Sequence, residues 1–334
     1  MADMSTGEVR LPCSCLRESE ADLSEVTVDQ AKPIGAGERR RTSGLVRNQT
    51  RTAWLLLLPT LLVVAAVAMV PLIETIYLSF TDDRLADAAT ANWIGRENYQ
   101  RLIEDGRFRH AVGVTIRFTL ITVVAEFVLG MIIALVVNSN FKGRGMMRAA
   151  MLVPWAIPTV VSARMWAWMY NDVYGVFNDM LYTRLGILDR PVAWIAEPSI
   201  SLWAVAAVDI WKTTPFIALL LLAGLQVIPS DLYEAATVDG ASKVQQFFRI
   251  TLPLLMPAIL VALIFRTLDA LRVFDVFYVM FGSRRDTATM SIYAQEQIVA
   301  FSRIGYGSAV SVAIFLIIAI FVTAYVTTLR VDRA

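Results

Sequence analysis

Histidine and cysteine are almost missing from this chain, which limits the chemistry it can perform. Its 334 residues include one histidine, His110, and two cysteines, Cys13 and Cys15. The cysteines lie two residues apart in a polar stretch, where neighbouring side chains diverge, so a disulfide between them would have poor geometry. A metal site needs more ligands than these. Because no nucleophile motif is present either, the sequence predicts a protein that is not an enzyme and holds no metal.

Charged residues are also scarce. They form 18% of the chain, whereas soluble proteins have about 25%, and 57% of the residues are hydrophobic. The formal net charge is +1, so there is no overall field that would attract nucleic acid. We therefore expect a protein surrounded by membrane lipid, with no nucleic-acid partner.

The first 50 residues differ from the rest of the chain. They are rich in Asp, Glu, Arg, Ser, Thr and Gly and hold few large apolar side chains. Such a segment cannot bury enough surface to offset its ordering entropy, and it lacks the apolar centre of a signal peptide. We predict a disordered cytoplasmic tail at residues 1–50 and a membrane domain at residues 51–334.

Six apolar segments follow the tail. A helix needs about 20 mostly apolar residues to cross a hydrocarbon core of about 30 Å, and each segment is close to that length or longer. The first and the last carry no charge, whereas the fifth carries several charged residues. The sequence predicts an all-α membrane fold with six transmembrane helices, at residues 54–72, 111–137, 147–170, 200–225, 255–281 and 307–329.

Basic residues next to the predicted spans indicate their orientation. Lys and Arg concentrate in the short cytoplasmic flanks of membrane proteins. Here they cluster before the first span, between the second and third, and after the sixth. With six spans these positions share one side, so we expect both termini, and the loop between the fourth and fifth spans, in the cytoplasm. The flanking residues are Arg39, Arg40, Arg41, Arg47, Arg51, Lys142, Arg144, Arg148, Arg330 and Arg333.

The loop between the fourth and fifth spans contains helix-start and helix-stop residues. Ser230 is expected to cap a short helix that has acidic residues in its first turn. Gly240 permits a left-handed turn that ends this helix, and Ser242 can cap a second one. Pro253 and Pro257 are then expected to break or redirect the chain. The loop is thus predicted to form two short helices at an angle, a shape that fits a groove on a partner protein.

Three short motifs stand in this loop, which covers residues 230–253. They are Glu234-Ala235-Ala236, Asp239-Gly240-Ala241 and Ile250-Thr251-Leu252-Pro253. Together they resemble the EAA loop of ABC importer permeases. The upstream segment Trp211-Lys212-Thr213-Thr214-Pro215-Phe216 resembles the carbohydrate branch of that family, and the match is closest to trehalose, maltose and other α-glucoside permeases. The resemblance covers roughly residues 50–330 and implies a type I ABC importer permease fold with a short cytoplasmic coupling-helix loop.

The resemblance implies a transport function and a set of partners. The chain would form half of the translocation pathway of an ATP-driven importer for an oligosaccharide, such as trehalose, maltose or a related α-glucoside. Its partners would be a second permease in a heterodimer, an ATPase dimer and an extracytoplasmic sugar-binding protein, at the bacterial inner membrane. The chain has no Gly-x-x-x-x-Gly-Lys-Ser/Thr sequence. ATP and Mg²⁺ would therefore be bound by the ATPase, and no cofactor is expected in this chain.

The same resemblance implies roles for individual residues of the loop. In the family, a surface cleft of the ATPase receives this loop. Glu234 would pair with a basic group of the ATPase, the small side chains would allow close approach, and Gly240 would supply the tight turn. The residues expected to couple to the ATPase are Glu234, Ala235, Ala236, Asp239, Gly240, Ala241 and Pro253.

Charged residues inside the spans have two interpretations. An ionisable side chain in a membrane is costly unless it is paired or faces water. Asp209 and Lys212 are three residues apart and can neutralise each other, and the fifth span repeats this spacing. One interpretation places these residues along the sugar pathway, and the other gives them structural ion pairing. Glu126 and Arg164 are expected to pair helices. The pathway candidates are Asp209, Lys212, Arg266, Asp269 and Arg272.

Two other functions remain alternatives. An ion-coupled secondary transporter would use the buried charges as an ion relay. Such transporters often have an internal repeat and a pair of broken helices, and neither is evident in this sequence. An ABC permease for another small polar solute would keep the coupling loop and differ in its pathway.

Overall fold

The computed structural model describes residues 44–84 and 91–328 of the chain. The chain divides into two units, residues 1–63 and residues 64–334. Regular secondary structure in the described ranges is helical. The one β-type contact among them is an isolated antiparallel bridge between Thr81 and Trp93.

The predicted N-terminal tail is described only at its end. Residues 44–50 are helical, so this part of the tail prediction is wrong. They form the first turns of the helix that continues through the first predicted span, because helix formation propagates readily once a long apolar helix follows. Residues 1–43 lie outside the described residues, and so do several residues named above: Cys13, Cys15, Arg39, Arg40, Arg41, Arg330 and Arg333.

Thirteen α-helices lie within the described residues. Three of them continue into a π-helical turn, at Asp179–Arg184, Phe247–Thr251 and Glu296–Ala300. The helices are α1 Gly44–Leu78, α2 Glu97–Glu104, α3 Gly106–Asn138, α4 Arg144–Ala156, α5 Thr159–Met169, α6 Val176–Asn178, α7 Pro198–Leu225, α8 Asp231–Val238, α9 Lys243–Gln246, α10 Leu252–Leu271, α11 Asp275–Phe281, α12 Met290–Gln295 and α13 Ile304–Thr328.

The described helices provide up to six membrane crossings. Five segments are long and apolar enough to span by themselves, and α4 with α5 forms a sixth if a bent pair counts as one span. This agrees with the predicted all-α fold of six spans. The five single segments are Gln49–Leu78, Gly106–Asn138, Pro198–Leu225, Lys243–Phe281 and Ile304–Tyr325.

The third predicted span, at residues 147–170, is not one straight helix. Helices α4 and α5 meet at an angle of 87°. Ile157 between them is extended, with φ −71° and ψ 132°, because the ring of Pro158 disfavours the helical conformation in the residue before it. A pair of helices separated by a sharp break is therefore present in this span, contrary to the expectation from the sequence.

The fifth predicted span also differs from the expected helix. Helical structure begins at Lys243, runs through the π-helical turn and α10, stops at Leu271 and resumes in α11. The predicted break at Pro253 and Pro257 is absent. Pro253 lies in the first turn of α10, where a missing N–H matters least, and Pro257 is accommodated inside the helix. The second loop helix is therefore continuous with the span, and does not lie at an angle to it.

Small residues allow the central helices to approach closely. Gly130 of α3 lies against α7, where an added Cβ would be 2.7 Å from Ile217 Cγ2 and 3.2 Å from the backbone nitrogen of Ala218. Those distances leave no room for a methyl group, because real Cβ contacts are longer. The α3–α7 contact therefore depends on glycine at this position.

We expect Gly130→Ala to destabilise the protein by about 1–3 kcal/mol, the usual penalty for overpacking. Gly113→Ala on the same helix is the matched control, because nothing lies within 4 Å of its added Cβ. Alanine is the better helix former there, so this change should stabilise by up to about 1 kcal/mol. Thermal unfolding of the purified protein in detergent measures both. Equal midpoints for the two variants would contradict the close α3–α7 contact.

Asp105 caps the N-terminal end of α3 and joins this helix to α12 and α13. One carboxylate oxygen accepts hydrogen bonds from the backbone nitrogens of Arg107, at 2.8 Å, and Phe108, at 3.4 Å. The other accepts from the hydroxyls of Tyr293 and Tyr306, on α12 and α13. Burial opposes the charge of Asp105, but these hydrogen bonds outweigh it and hold the pKa of Asp105 below its usual value. The carboxylate thus remains charged and keeps the three helix ends together.

Candidate functional site

Helix α8 ends in a turn that contains Gly240. The φ of Gly240 is +77°, in the left-handed region that favours glycine. The N–H of Ala241 donates to the carbonyl of Ala236 at 2.8 Å, and the N–H of Gly240 donates to the carbonyl of Thr237 at 3.1 Å. These two bonds form the Schellman ending of a helix. The predicted left-handed turn at Gly240 is confirmed.

The two predicted caps of the loop have different outcomes. Ser242 caps α9 with a complete capping box, in which its hydroxyl accepts from the N–H of Gln245 and its own N–H donates to the Gln245 side chain. Ser230 does not cap α8. Its backbone is helical, with φ −62° and ψ −32°, and its hydroxyl bonds the side chain of Asp231. A capping residue needs an extended backbone, so this prediction was wrong.

Most of the predicted coupling residues are accessible. Glu234, Ala235, Asp239, Gly240 and Pro253 are exposed, and the two remaining alanines of the motif are half-buried. Large apolar side chains beside them are also exposed: Val238, Val244 and Phe248. Apolar groups that stand out from a polar loop are typical of protein docking surfaces.

A buried ion cluster joins three helices. Arg266 of α10 pairs with Glu126 of α3 and with Asp209 of α7, and its Nη2 lies 3.0 Å from Glu126 Oε1. Its Nη1 donates to Asp269 at 3.1 Å. Arg266 is 2% exposed and Glu126 is fully buried. We name these four residues the Arg266 cluster. One guanidinium satisfies carboxylates from separate helices, as its fork of donors allows.

The structure thus brings together some of the predicted site residues and leaves others apart. Asp209, Arg266 and Asp269 meet in the cluster, and Glu126 pairs helices as expected. Arg272 lies at the rim, 3.9 Å from Asp269, and both side chains are more than half exposed. Arg164 is exposed and has no partner in the described part of the chain, so its predicted helix pairing was wrong.

Lys212 does not pair with Asp209, contrary to the sequence prediction. Its ammonium donates to the carbonyl of Ile157 at 2.7 Å and to that of Trp155 at 3.3 Å. Trp155 lies in the last turn of α4 and Ile157 follows that helix, at a position where carbonyl groups lack a partner within the helix. Unpaired carbonyls are costly within a membrane, and a cation suits the C-terminal end of a helix. Lys212 therefore stabilises the bend.

Replacing Lys212 with methionine should destabilise the protein by about 1.5–3 kcal/mol, the range for hydrogen bonds to a charged group. Lys142→Met is the matched control, because Lys142 is exposed and makes no side-chain hydrogen bond within the described ranges. Thermal unfolding in detergent should separate the two variants. A Lys212→Met protein that unfolds at the same temperature as the control would show that the carbonyls find another donor.

A polar cavity lies beside the Arg266 cluster. It has a volume of about 310 Å³ and is lined by Asp209, Lys212, Arg266, Asp269 and Arg272, the pathway candidates of the sequence. A second cavity of about 230 Å³ shares Arg266, Asp269 and Arg272 with the first. The adjoining cavities therefore present acidic and basic groups together.

Aromatic and hydroxyl side chains complete the wall of the second cavity. Trp155 and Phe216 stack there, with ring centroids 6.1 Å apart, and Thr213 bonds Glu126 Oε1 at 2.5 Å. Charged, hydroxyl and aromatic groups in one wall suit a ligand that has many hydroxyls. These three residues were not predicted as site residues from the sequence. Pro154 and Pro158, on either side of Trp155, were the available signal, because they indicate a break in the helix that carries it.

No other chemistry is indicated by the described residues. Within residues 44–84 and 91–328, no group of three or more His, Cys, Asp or Glu side chains is arranged to hold a metal ion. The arrangement can bind polar groups and join helices, whereas the loop presents exposed polar and apolar side chains.

Known proteins resemble this chain over most of its length. A trehalose/maltose transport system permease of Thermococcus litoralis is 42% identical over 297 residues, which cover 87% of this chain and 98% of the relative. A sulfoquinovosyl glycerol transport system permease of Agrobacterium fabrum is 40% identical, covering 83% and 90%. A trehalose transport system permease of Mycobacterium tuberculosis is 37% identical, covering 81% and 86%.

A solved structure has the same fold. A bacterial ABC transporter involved in the import of the acidic polysaccharide alginate superposes with a TM-score of 0.74 at 24% identity, covering 87% of this chain and 99% of that one. Residues 126–333 match the family described as binding-protein-dependent transport system inner membrane component. The chain therefore belongs to this family, as a multi-pass ABC transporter permease subunit and not an enzyme.

Proposed function

We propose that this chain forms half of the translocation pathway of an ATP-driven sugar importer and is driven through the loop at residues 230–253. The observation that carries the proposal is the turn at Gly240, which presents Glu234 and Asp239 on an exposed helix outside the spans. An ATPase dimer would receive this helix, with Glu234 against a basic group. ATP and Mg²⁺ would be bound by that ATPase.

The proposed cargo is trehalose, maltose or a related α-glucoside. The names of three relatives support a glycoside, and two of them name trehalose. The wall that combines the Arg266 cluster with Trp155 and Phe216 also supports a hydroxyl-rich ligand. A secondary transporter is not favoured, because the chain belongs to the family of binding-protein-dependent transport system inner membrane components.

A second permease is the proposed partner at the exposed edge of α10. Asp269 and Arg272 lie near the end of this spanning helix, and their side chains are 59% and 71% exposed. Charged side chains that face lipid are costly, so this surface would meet water or another protein. A heterodimer would enclose the cavities between two permeases. An extracytoplasmic sugar-binding protein would deliver the sugar, and a bacterial cell membrane with both chain termini in the cytoplasm fits the basic residues Arg51, Lys142 and Arg144.

Reconstitution tests this function. The chain, a second permease, the ATPase and the binding protein are placed in vesicles that contain ATP, and uptake of labelled trehalose and maltose is measured. We expect uptake that requires ATP and the binding protein and that persists when the proton gradient is dissipated. Uptake that stops on dissipation while ATP is held constant would support a secondary transporter instead.

A further inference from the structure

Helix α8 has little apolar contact with the rest of the protein. None of its residues is buried, and Leu232 and Val238 are exposed. A helix held by few apolar contacts depends on its polar contacts for orientation. The hydrogen bonds between α8 and the neighbouring helix therefore determine how α8 is held.

Gln246 of α9 makes the first of these connections. Its side chain is buried, at 3% exposure. The amide nitrogen donates to Thr237 Oγ1 at 3.0 Å and to the carbonyl of Ala241 at 3.1 Å. Thr237 lies on α8, and Ala241 belongs to the turn that ends it. A buried amide that makes two such bonds holds the end of α8 against α9.

Tyr233 makes the second connection, one helical turn earlier. Its hydroxyl lies 3.0 Å from Thr251 Oγ1. Thr251 is buried in the π-helical turn that joins α9 to α10, and its hydroxyl also lies 3.5 Å from the carbonyl of Gln246. Single π-helical turns within α-helices are frequent at functional sites. The two connections attach both ends of α8 to the same continuous helical segment.

That segment also carries the ion cluster. Helical structure runs from Lys243 to Leu271 without a break. Gln246 and Arg266 are 20 residues apart, which corresponds to about 30 Å at the rise of an α-helix. If α8 keeps a fixed orientation on this segment, a displacement of α8 also displaces the helix that carries Arg266 beside the cavity.

We infer that Tyr233, Gln246 and Thr251 are positioning residues that clamp α8 to the α9–α10 segment, so that movement of α8 becomes movement of Arg266. They do not contact ATP or sugar in this role. The inference rests on the proposed function for its consequence in transport. The clamp itself is a property of the permease chain and can be tested without transport.

The first experiment measures the clamp directly. Backbone amide exchange of residues 231–241 is followed in the full-length chain in detergent, for Tyr233→Phe, Thr251→Val and Gln246→Leu. We expect exchange to be roughly fivefold faster in Tyr233→Phe and Thr251→Val, the effect of losing one ordinary hydrogen bond, and faster still in Gln246→Leu, which loses two. Thr251→Ser keeps the hydroxyl and should exchange like the unmodified protein. Gln226→Leu is the control for the amide, because Gln226 is exposed and its side chain makes no hydrogen bond in the described ranges.

The second experiment measures coupling in the reconstituted transporter. We expect the number of ATP molecules hydrolysed per sugar transported to rise roughly fivefold in Tyr233→Phe and Thr251→Val and further in Gln246→Leu, while the ATPase still copurifies. Thr251→Ser and Gln226→Leu should keep the original ratio. Tyr233→Phe with Thr251→Val should equal Thr251→Val alone, because that single variant already removes the bond that Tyr233→Phe removes.

The outcomes separate the inference from the proposed function. Unchanged exchange in all clamp variants would overturn the clamp, whatever the transport result. Faster exchange with an unchanged ratio of ATP to sugar would overturn its role in coupling, and loss of ATPase binding would assign the residues to docking instead. If the unmodified transporter shows no ATP-driven uptake, the proposed function itself fails. Tyr233→Phe removes one partly accessible oxygen, so it keeps the test available if Gln246→Leu does not fold.

Discussion

An Arg266→Met variant is expected to yield much less folded protein in the membrane than the unmodified chain. The change leaves the buried carboxylates of Glu126 and Asp209 without their cation. Removing one partner from a buried ion pair typically costs about 3–5 kcal/mol, a large fraction of the roughly 5–15 kcal/mol by which native proteins are stable. Size-exclusion chromatography of the detergent extract measures the folded fraction.

Arg272→Met is the control for this prediction. This variant also removes a guanidinium group next to Asp269. Arg272 is exposed, however, and its Nη2 lies 3.9 Å from Asp269 Oδ1. An exposed pair contributes about 0–1 kcal/mol, so the variant should fold normally. If Arg266→Met folded as well as Arg272→Met, the ion cluster could not be a main connection between α3, α7 and α10.

A variant that neutralises the three buried members of the cluster tests the electrostatic cause. Arg266→Met combined with Glu126→Gln and Asp209→Asn leaves no uncompensated buried charge, because the remaining carboxylate of Asp269 is 59% exposed. We expect this variant to recover much of the folded protein. Its uptake then decides between the two interpretations of the cluster. Retained sugar uptake assigns the cluster to helix pairing, and loss of uptake in a folded protein assigns it to the sugar pathway.

Gly240→Val is expected to abolish association with the ATPase and, with it, sugar uptake. The added side chain has space, since nothing lies within 4 Å of the Cβ. The cost is conformational, because a residue with a side chain pays about 1–2 kcal/mol in the left-handed region, and roughly 1.4 kcal/mol is a tenfold change in population. The turn would open, break the two bonds of the Schellman ending and move Glu234 and Asp239. Copurification of the ATPase and uptake in vesicles are the measurements.

Gly143→Val is the matched control for the turn. Gly143 also has a positive φ, +94°, and open space at its Cβ, but it precedes α4 and is outside the coupling loop. The backbone strain is similar, so a general defect would appear in both variants. We expect ATPase association and uptake to survive in Gly143→Val. Full uptake by a Gly240→Val transporter that no longer binds the ATPase would disprove ATP-driven import through this loop.

Local features of the coupling loop could be predicted because each depends on nearby residues. Gly240 supplies a conformation that other residues adopt at a cost, and Ser242 has Gln245 three residues later to complete its capping box. The predicted cap at Ser230 was wrong for a local reason as well, because the backbone of Ser230 is helical and does not have the extended geometry of a cap. The roles of the other coupling residues stay predictions, since they concern a partner protein.

The partners of the buried charges could not be predicted from spacing. A spacing of three residues puts Asp209 and Lys212 within reach of each other on one helix, but both find partners on other helices. Glu126 and Arg266 are 140 residues apart in sequence, so no local pattern connects them. Helix packing sets these pairs, because a buried charge takes whichever opposite charge or carbonyl is nearest in space.

The length and apolarity of the segments by themselves determined that the chain is a membrane protein with up to six crossings, since hydrocarbon thickness sets the length of a span. The motif at Glu234–Ala241 likewise determined the turn and the family. Tertiary structure decided which charges meet at Arg266, how Lys212 stabilises the bend at Pro158, and that the loop continues into α10 as one helix. These features depend on groups that come together through packing, where desolvation makes each unpaired polar group costly and leaves few arrangements that satisfy all of them.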